Sequence, residues 1–251
     1  MTRESFDRNL FEPLADVEER CFWFRARNRL IVSTFRRHFG DAASFLEVGC
    51  GGGVVLAAIG EALPHLRLVG GELYEEGLAV ARRRLPDVEL KALDARNLPY
   101  EDEFDVVGAF DVIEHIDEDE EVLSQLVRAA RPGGGVLVLV PQHRWLWSEH
   151  DEIVEHRRRY TRKELVSKAE RAGIEVVQVT SFVSSLLPAM AVSRAVDRVR
   201  KKTDPIANLE PGPLNAVFER MLDGERKLIE HGVSLPFGGS LMLVGRKPRL
   251  P

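Results

Sequence analysis

A glutamate followed by a glycine-rich turn stands in the first third of the chain. The segment Phe45–Gly53 reads F-L-E-V-G-C-G-G-G, so Glu47 lies near the end of an apolar run and Gly49, Gly51 and Gly53 follow it. Glycine has no Cβ atom, so it adopts positive φ and lets a ligand approach the backbone N–H groups. The turn predicts a site for a nucleotide-like ligand. Glycines also collect in tight strand-to-helix connections that bind nothing.

Two further acids follow later apolar runs. Glu72 ends the run that begins at Arg67, where its carboxylate could accept hydrogen bonds from both hydroxyls of a ribose. The alternative is that Glu72 caps the helix predicted from Glu75, because acids favour helix N-termini. Asp94 follows the third run, although aspartate is common in any loop after a strand.

These motifs, in this order, resemble the class I S-adenosylmethionine-dependent methyltransferases. The segment E-x-G-x-G-x-G is similar to the first motif of that family, whereas the dinucleotide fingerprint G-x-G-x-x-G needs a glycine where this chain has Val54. The resemblance extends over residues 40–141. It implies S-adenosylmethionine as methyl donor, S-adenosylhomocysteine as product, and in-line displacement, for which positioning can supply about 7–11 kcal/mol of the barrier.

The resemblance also implies where the donor binds. The ribose would lie at Glu72, the adenine amino group at Asp94 beside the backbone of Ala95, and the methionine end against residues 110–112. The implied cofactor-binding residues are Glu47, Gly49, Cys50, Gly51, Gly53, Glu72, Leu73, Asp94, Ala95, Phe110, Asp111 and Val112.

A histidine-rich segment follows the fifth predicted strand. Its sequences W-S-x-H-D, at residues 147–151, and H-x-R-R-Y-T, at residues 156–161, resemble a subgroup of these methyltransferases whose substrate is unknown. The acceptor should lie beyond the carboxyl ends of the fourth and fifth strands, next to this loop. Alternatively, these residues have only a structural role and attach the loop to the helix that begins at Thr161, where Thr161-x-x-Glu164 is typical of a capping box.

The catalytic residues are predicted from this loop. His150 and His156 are the candidate bases that would remove a proton from the acceptor, with Asp151 orienting the imidazole and Tyr160 donating a hydrogen bond to the substrate. His115, which opens a helical stretch, is expected to be a packed or capping group. Imidazole and carboxylate suit zinc or iron, but the spacing in this loop matches no familiar metal motif, so no metal is expected.

Short β-rich runs alternate with helical patterns from Phe45 onward, which is typical of a parallel sheet flanked by helices. We predict a doubly wound, Rossmann-like α/β fold with a seven-stranded mixed sheet, an antiparallel last strand and a helical insertion before it. Residues 1–43 would form an N-terminal helical lid segment, 44–180 and 240–251 the cofactor-binding core, and 181–239 the insertion on the substrate side. The predicted strands are Phe45–Val48, Arg67–Gly71, Val88–Lys91, Phe104–Phe110, Val136–Val140, Glu175–Thr180 and Ser240–Gly245.

The two outer regions carry patterns with two interpretations. The aromatics Phe22–Phe24 could cover the cofactor pocket or pack the core. Residues 189–202 predict an amphipathic helix with Val192 on one face and Arg194 on the other. With residues 182–188 it could contact an anionic membrane surface and admit a lipid-like acceptor, or it could pack on the domain with its arginines in water.

Composition narrows the class of protein. The formal charge of −5 argues against nucleic acid as a partner, and the two cysteines, without C-x-x-C spacing, fit a reducing compartment. The polar N-terminus lacks a signal-peptide core, so a cytoplasmic protein is expected. We predict a methyltransferase for a small-molecule or lipid-linked acceptor, with oxygen favoured over nitrogen and carbon. The alternative is a sensor or scaffold that binds S-adenosylmethionine without turnover.

Overall fold

The computed structural model describes residues 6–200 and 211–249, and for residues 195–200 it describes the backbone alone. Strands within these residues form one mixed sheet. They are β1 (Ser44–Val48), β2 (Arg67–Glu72), β3 (Glu89–Ala92), β4 (Phe104–Phe110), β5 (Ala130–Pro141), β6 (Glu175–Phe182) and β7 (Ser240–Arg246).

The strand order in the sheet is β3-β2-β1-β4-β5-β7-β6. The first five strands are parallel, and β7 runs antiparallel to both β5 and β6. The predicted fold class is therefore confirmed. β5 begins at Ala130 rather than at the predicted Val136, because Ala130 already pairs with Phe104. The pairing register then shifts between Ala130 and Gly135.

Helices connect the strands and also occupy both outer regions. A helix begins at Glu75 as predicted, and the described part of the N-terminal segment, predicted to be helical over residues 1–43, forms two α-helices of which the first begins at Phe11. The helices are α1 (Phe11–Glu18), α2 (Phe22–Phe39), α3 (Val54–Ala62), α4 (Glu75–Arg84), α5 (Asp119–Ala129), α6 (Glu149–Ile153), α7 (Arg162–Arg171), α8 (Leu187–Arg200) and α9 (Asn215–Glu230).

Side chains of the central strands alternate between two cores. Leu46 and Val107 pack on the face covered by α5 and α7. Phe45 and Val106 pack on the opposite face, under α2, α3 and α9. Burying one such apolar side chain contributes about 1.5–3 kcal/mol, so these two layers hold the strand ends in fixed positions.

The N-terminal helix α2 is tied to α9 of the insertion. The side chain of Asn215 accepts a hydrogen bond from the backbone N–H of Phe22 at 2.8 Å, and Arg29 pairs with Asp223 at 2.9 Å. Glu225 on α9 accepts hydrogen bonds from the backbone N–H groups of Ser184 and Ser185 after β6. The two outer regions therefore pack against each other and against one face of the sheet.

The orientation of α8 differs from the interpretation that packs the helix on the domain with its arginines in water, and contact with a membrane surface stays a prediction. Arg194 lines the central cavity, whereas Val192 is 65% exposed. The physical reason is that the helix packs through Met190 against the apolar core under α9. The predicted continuation to Lys202 lies partly outside the described residues. Among the described helices, none has both the length and the apolarity needed to cross a bilayer.

Asp119 holds the loop after β5 against α5. The Tyr160 hydroxyl donates to Asp119 Oδ2 at 2.7 Å, Lys168 Nζ lies 2.6 Å from the same oxygen, and an Arg158 nitrogen lies 2.8 Å from it. Asp119 is buried. Burial opposes ionisation, but hydrogen bonds from these three side chains lower the pKa of Asp119.

Replacing Asp119 with asparagine should therefore destabilise the fold by about 3 kcal/mol at neutral pH, because Lys168 and Arg158 lose a buried counter-charge. Since the folded-state pKa is lowered, this stabilisation is present above the ordinary aspartate pKa of about 3.9 and is lost as the pH falls through the folded value. Urea unfolding of wild type and Asp119→Asn at pH 7 and near pH 3 measures it.

Asp117→Asn is the matched control, because that side chain is 75% exposed and lies 3.5 Å from Arg158. It should change the unfolding free energy by less than about 0.5 kcal/mol. Equal unfolding free energies for wild type and Asp119→Asn at pH 7 would show that the cluster does not stabilise the loop.

Candidate functional site

A cavity of about 1390 Å³ opens at the carboxyl ends of the parallel strands. It lies beside β1 and β4, where the strand order reverses, which is where open α/β sheets bind ligands. Pockets for a single small ligand typically measure about 300–1000 Å³. The cavity therefore has room for a cofactor and a second molecule.

The glycine turn forms one wall of this cavity. Gly49 has φ of 73°, and a Cβ atom there would lie 2.5 Å from a methyl group of Val112, so no other residue fits without a shift. Gly49, Cys50 and Gly51, which are predicted to bind the cofactor, line the cavity. Gly53 is not in the lining. Its φ of 78° instead starts α3.

The Glu72 carboxylate lines the cavity and also fixes the turn. Its two oxygens accept hydrogen bonds from the backbone N–H groups of Gly51 and Tyr74, each at 3.0 Å. Burial raises the pKa of Glu72, and the backbone N–H groups oppose that rise. Tyr74 is the residue that precedes α4, and no side chain caps that helix, so Glu72 does not have the alternative capping role; its carboxylate borders the predicted ribose position.

Glu47 is buried at the end of β1 and lines the same cavity. Its Oε2 atom has no hydrogen-bond partner among the described residues. Burial raises the pKa of Glu47 to about 8, although nearby Arg27 acts in the opposite direction. A buried, unsatisfied carboxyl group is costly, so this atom is suited to a donor or cationic group of a ligand.

Asp94 and Ala95 line the cavity after β3. Asp94 is already paired, since the Arg96 guanidinium donates to its two oxygens at 2.9 and 2.7 Å. The hydrogen bond from Arg96 lowers the pKa of Asp94. The carboxylate can therefore accept an additional amino group at this edge only together with, or in place of, Arg96.

Phe110, Asp111 and Val112 line the cavity at the end of β4. Asp111 has φ of 56°, which is rare outside glycine and costs about 1–3 kcal/mol. Its carboxylate accepts a hydrogen bond from Arg27 at 2.7 Å, and burial raises its pKa against the effect of that guanidinium. Such strain concentrates at functional sites.

Arg27 follows the aromatic segment Phe22–Phe24 in the sequence, which predicts no contact between it and Asp111. Arg27 is only 7% exposed, and its guanidinium lies 5.1 Å from the ring centre of Trp23 and 5.4 Å from that of Phe24. These aromatics and Phe22 line the cavity and also pack on neighbouring rings, so both sequence interpretations describe them. The signal for Arg27 is its helical spacing from Trp23, four residues earlier on α2.

The two candidate histidines of the loop both line the cavity. His156 Nδ1 lies 2.8 Å from Asp151 Oδ1, and Arg159 Nε donates to the same oxygen at 2.7 Å. Although burial opposes it, the hydrogen bond with His156 and the charge of Arg159 lower the pKa of Asp151. Asp151 itself does not line the cavity. It is buried behind His156 and hydrogen-bonded to that ring, an arrangement that suits the predicted orienting role.

The same aspartate also closes a capping box. Asp151 Oδ2 accepts hydrogen bonds from the backbone N–H and the hydroxyl of Ser148. The structural and the orienting interpretations of this residue are therefore both present. Of the capping box predicted at Thr161, one hydrogen bond is present: the Thr161 hydroxyl accepts from the Glu164 backbone N–H. The Glu164 carboxylate instead pairs with Arg144.

His150 is neutral at physiological pH. Burial lowers its pKa to about 4, and the charge of Arg194 on α8 adds to the effect. Its ring is therefore unprotonated at neutral pH and can accept a proton, but a pKa this low makes it a weaker base than an ordinary imidazole. His143, by contrast, lies outside the cavity lining and stacks on Phe237 at 6.0 Å.

Tyr160, predicted to donate a hydrogen bond to the substrate, does not reach the cavity. It is fully buried and absent from the cavity lining, and its hydroxyl donates to Asp119. Burial, together with Asp119, raises its pKa far above the ordinary tyrosine value. The reason is that the strand-like pairing of Gln142 with Tyr160 directs the ring toward α5 and away from the cavity.

Glu114 and His115 lie next to the loop that carries His150 and His156. Glu114 is fully buried, and burial raises its pKa well above the ordinary value, with Asp111 adding to the rise. The His115 ring, expected to pack or cap, lines the cavity, with its centre 4.7 Å from that of His156.

The sequence pattern described as "Methyltransferase domain" matches residues 46–136. A "Probable S-adenosylmethionine-dependent methyltransferase" of Mycolicibacterium smegmatis is 32% identical over 163 residues, which cover 64% of this chain and 62% of that protein. A ubiquinone biosynthesis O-methyltransferase of Azoarcus sp. is 34% identical, covering 50% and 52%. A phthiotriol/phenolphthiotriol dimycocerosates methyltransferase of Mycobacterium ulcerans is 33% identical, covering 61% and 59%.

The chain thus spans about half to three fifths of the length of these relatives. Among solved structures, a Thermotoga maritima S-adenosylmethionine-dependent methyltransferase, described as a possible histamine N-methyltransferase, has a TM-score of 0.58 at 19% identity and covers 95% of both chains. At that identity the likeness shows the shared fold. The matched domain pattern, the named relatives and the glycine turn beside Glu72 agree on one family. In the matched domain and in its fold, the chain is similar to class I S-adenosylmethionine-dependent methyltransferases.

Proposed function

We propose that this protein transfers a methyl group from S-adenosylmethionine to a small-molecule or lipid-linked acceptor, with oxygen as the favoured target atom. One observation supports this most directly. A single cavity is bordered on one side by the glycine turn with Glu47 and Glu72, and on another by the imidazoles of His150 and His156. Donor-binding groups and proton-accepting groups therefore face the same space.

The residues present fit the donor. The Glu47 carboxyl group has a buried oxygen without a partner, and the glycine turn leaves no room for a larger residue at Gly49. We assign the ribose to Glu72, the adenine to Asp94 and Ala95, and the charged methionine end to Asp111 and Arg27. The bound donor supplies an electrophilic methyl group on a sulfonium.

The chain's own contribution is positioning and exclusion of water. Helices α2, α8 and α9 contribute Phe22, Met190 and Phe218 to the cavity wall, and β6 is followed by Val183 and Leu186 there. An acceptor with an apolar portion suits such a wall. The names of two relatives, a ubiquinone biosynthesis O-methyltransferase and a phthiotriol dimycocerosates methyltransferase, support an acceptor of this class.

Oxygen is favoured because the cavity offers neutral imidazole. A hydroxyl acceptor must lose a proton, and a positioned base contributes roughly 10²–10⁴-fold to the rate. His150 is neutral at physiological pH, and Asp151 holds the second imidazole, His156, in one orientation. We propose that one of these two rings takes the proton. Donor binding without release of methyl groups to any acceptor would favour the sensor interpretation instead.

Glu72→Gln should weaken S-adenosylmethionine binding roughly tenfold or more, because the charged acceptor for the ribose is lost and a charged hydrogen bond contributes about 1.5–3 kcal/mol. Glutamine keeps the side-chain length, so one backbone N–H of the turn can still be satisfied. Isothermal titration with S-adenosylmethionine measures the affinity.

Glu89→Gln is the matched control, since Glu89 is exposed on β3 and lies outside the cavity lining. Its affinity should equal that of wild type. If Glu72→Gln also binds with wild-type affinity while folded, Glu72 does not contact the donor.

His150→Ala should lower the rate of methyl transfer by roughly 10²–10⁴-fold and leave the affinity for S-adenosylmethionine unchanged, because this ring acts on the acceptor and not on the donor. Transfer of a labelled methyl group to a panel of phenols, quinols and lipid extracts measures the rate. His143→Asn is the control with an unchanged rate. Loss of thermal stability in His150→Ala without any loss of rate would assign the ring to packing alone.

A further inference from the structure

One buried carboxylate beside His156, a residue of the cavity wall, has no hydrogen-bonded counter-charge among the described residues. Of the acids around His156, Asp111 is paired with Arg27 and Asp151 with Arg159, each at 2.7 Å. Glu114 is fully buried, and neither of its carboxylate oxygens has a hydrogen-bond partner among the described residues. Burying a carboxylate without a partner is costly, so this position suits a bound cation.

His156 presents a nitrogen to this carboxylate. Its Nδ1 is held by Asp151 at 2.8 Å, and its Nε2 lies 3.9 Å from Glu114 Oε1, too far for a hydrogen bond. Metal-binding histidines almost always donate their other ring N–H to a carboxylate or carbonyl, which fixes the tautomer. Asp151 therefore orients His156 in the way that a carboxylate orients a metal-binding histidine. The Nε2 atom of His156 is then the one that can bind the metal.

His115 completes the group. One ligand atom from each of Glu114, His115 and His156 can be chosen so that all three lie within 4.8 Å of one another. Ligands about 2.0–2.2 Å from a shared ion lie roughly 3–4 Å apart, so a small side-chain movement closes the site. We propose that Glu114, His115 and His156 bind one divalent transition-metal cation, such as Zn²⁺ or Mn²⁺.

The chemistry of the donors selects this class of ion. Two imidazoles and one carboxylate suit Zn²⁺, Fe²⁺ or Mn²⁺, whereas Mg²⁺ and Ca²⁺ prefer oxygen ligands throughout. Three ligands from the protein leave a coordination position open, as in catalytic sites. Both histidines line the cavity, so that position faces the space assigned to the acceptor.

The role of the cation rests on the proposed function. An acceptor hydroxyl bound at the open position would have a lowered pKa and would lose its proton to His150 or to water. Its oxygen then forms the bond to the methyl carbon as the carbon–sulfur bond breaks, and S-adenosylhomocysteine leaves. Metal binding itself does not depend on this role.

The test is titration of the full chain, after chelation and desalting, with Zn²⁺ and separately with Mn²⁺, followed by calorimetry. We expect saturable binding of at least one of the two ions at one ion per chain, with the affinity at least about tenfold lower in Glu114→Gln and in His156→Asn. Asparagine can still donate to Asp151, and glutamine has the shape of glutamate, so both variants keep the local packing. His143→Asn, outside the cavity and suited to the φ of 65° at that position, should bind as wild type does.

S-adenosylhomocysteine is titrated into the same samples. Absence of saturable binding of both ions, or equal affinity in wild type and Glu114→Gln, overturns the metal site. In that case, retained binding of S-adenosylhomocysteine leaves the proposed function standing. Loss of metal affinity in Glu114→Gln with unchanged affinity for S-adenosylhomocysteine supports the site and places it apart from the donor.

Discussion

Acids kept largely out of water at the carboxyl ends of parallel strands are the main constraint on the packing around them. Glu47 on β1 and Glu72 on β2 are buried, and Asp111 after β4 is partly buried, all three beside one cavity. Removing a carboxylate from water is costly unless donors or cations replace the water. The glycine turn supplies an N–H group to Glu72, and α2 supplies Arg27 to Asp111. For Glu47 the replacement is incomplete, and in our account a ligand completes it.

This constraint explains why the outer regions pack as they do. Arg27 reaches Asp111 only because α2 lies over the sheet, and Asn215 and Asp223 on α9 hold α2 there. Phe218 and Met190 from the insertion then close the apolar side of the cavity. In our proposal the donor half of the site lies at the strand ends together with Arg27 from α2, whereas the acceptor half is assembled from segments far apart in the chain.

The features of the site that could be predicted from the sequence are those determined by residues close together in the chain. The glycine spacing predicts the turn, and the apolar runs predict where the strands end and therefore the position of Glu72. Arg27 and the partnership of Asp151 with His156 depend on tertiary packing. Tyr160 shows the limit most clearly. A tyrosine in a polar loop reads as a substrate contact, yet its pairing beside Gln142 turns the ring to Asp119.

We propose that these strand-end acids and the glycine turn bind the methyl donor, and a crystal structure of the protein with S-adenosylhomocysteine would show whether they do. We expect the ribose hydroxyls within hydrogen-bond distance of the Glu72 carboxylate, and the amino-acid end of the product beside Asp111 and Arg27. A product bound elsewhere, with Glu72 contacting only the N–H groups of Gly51 and Tyr74, would contradict it.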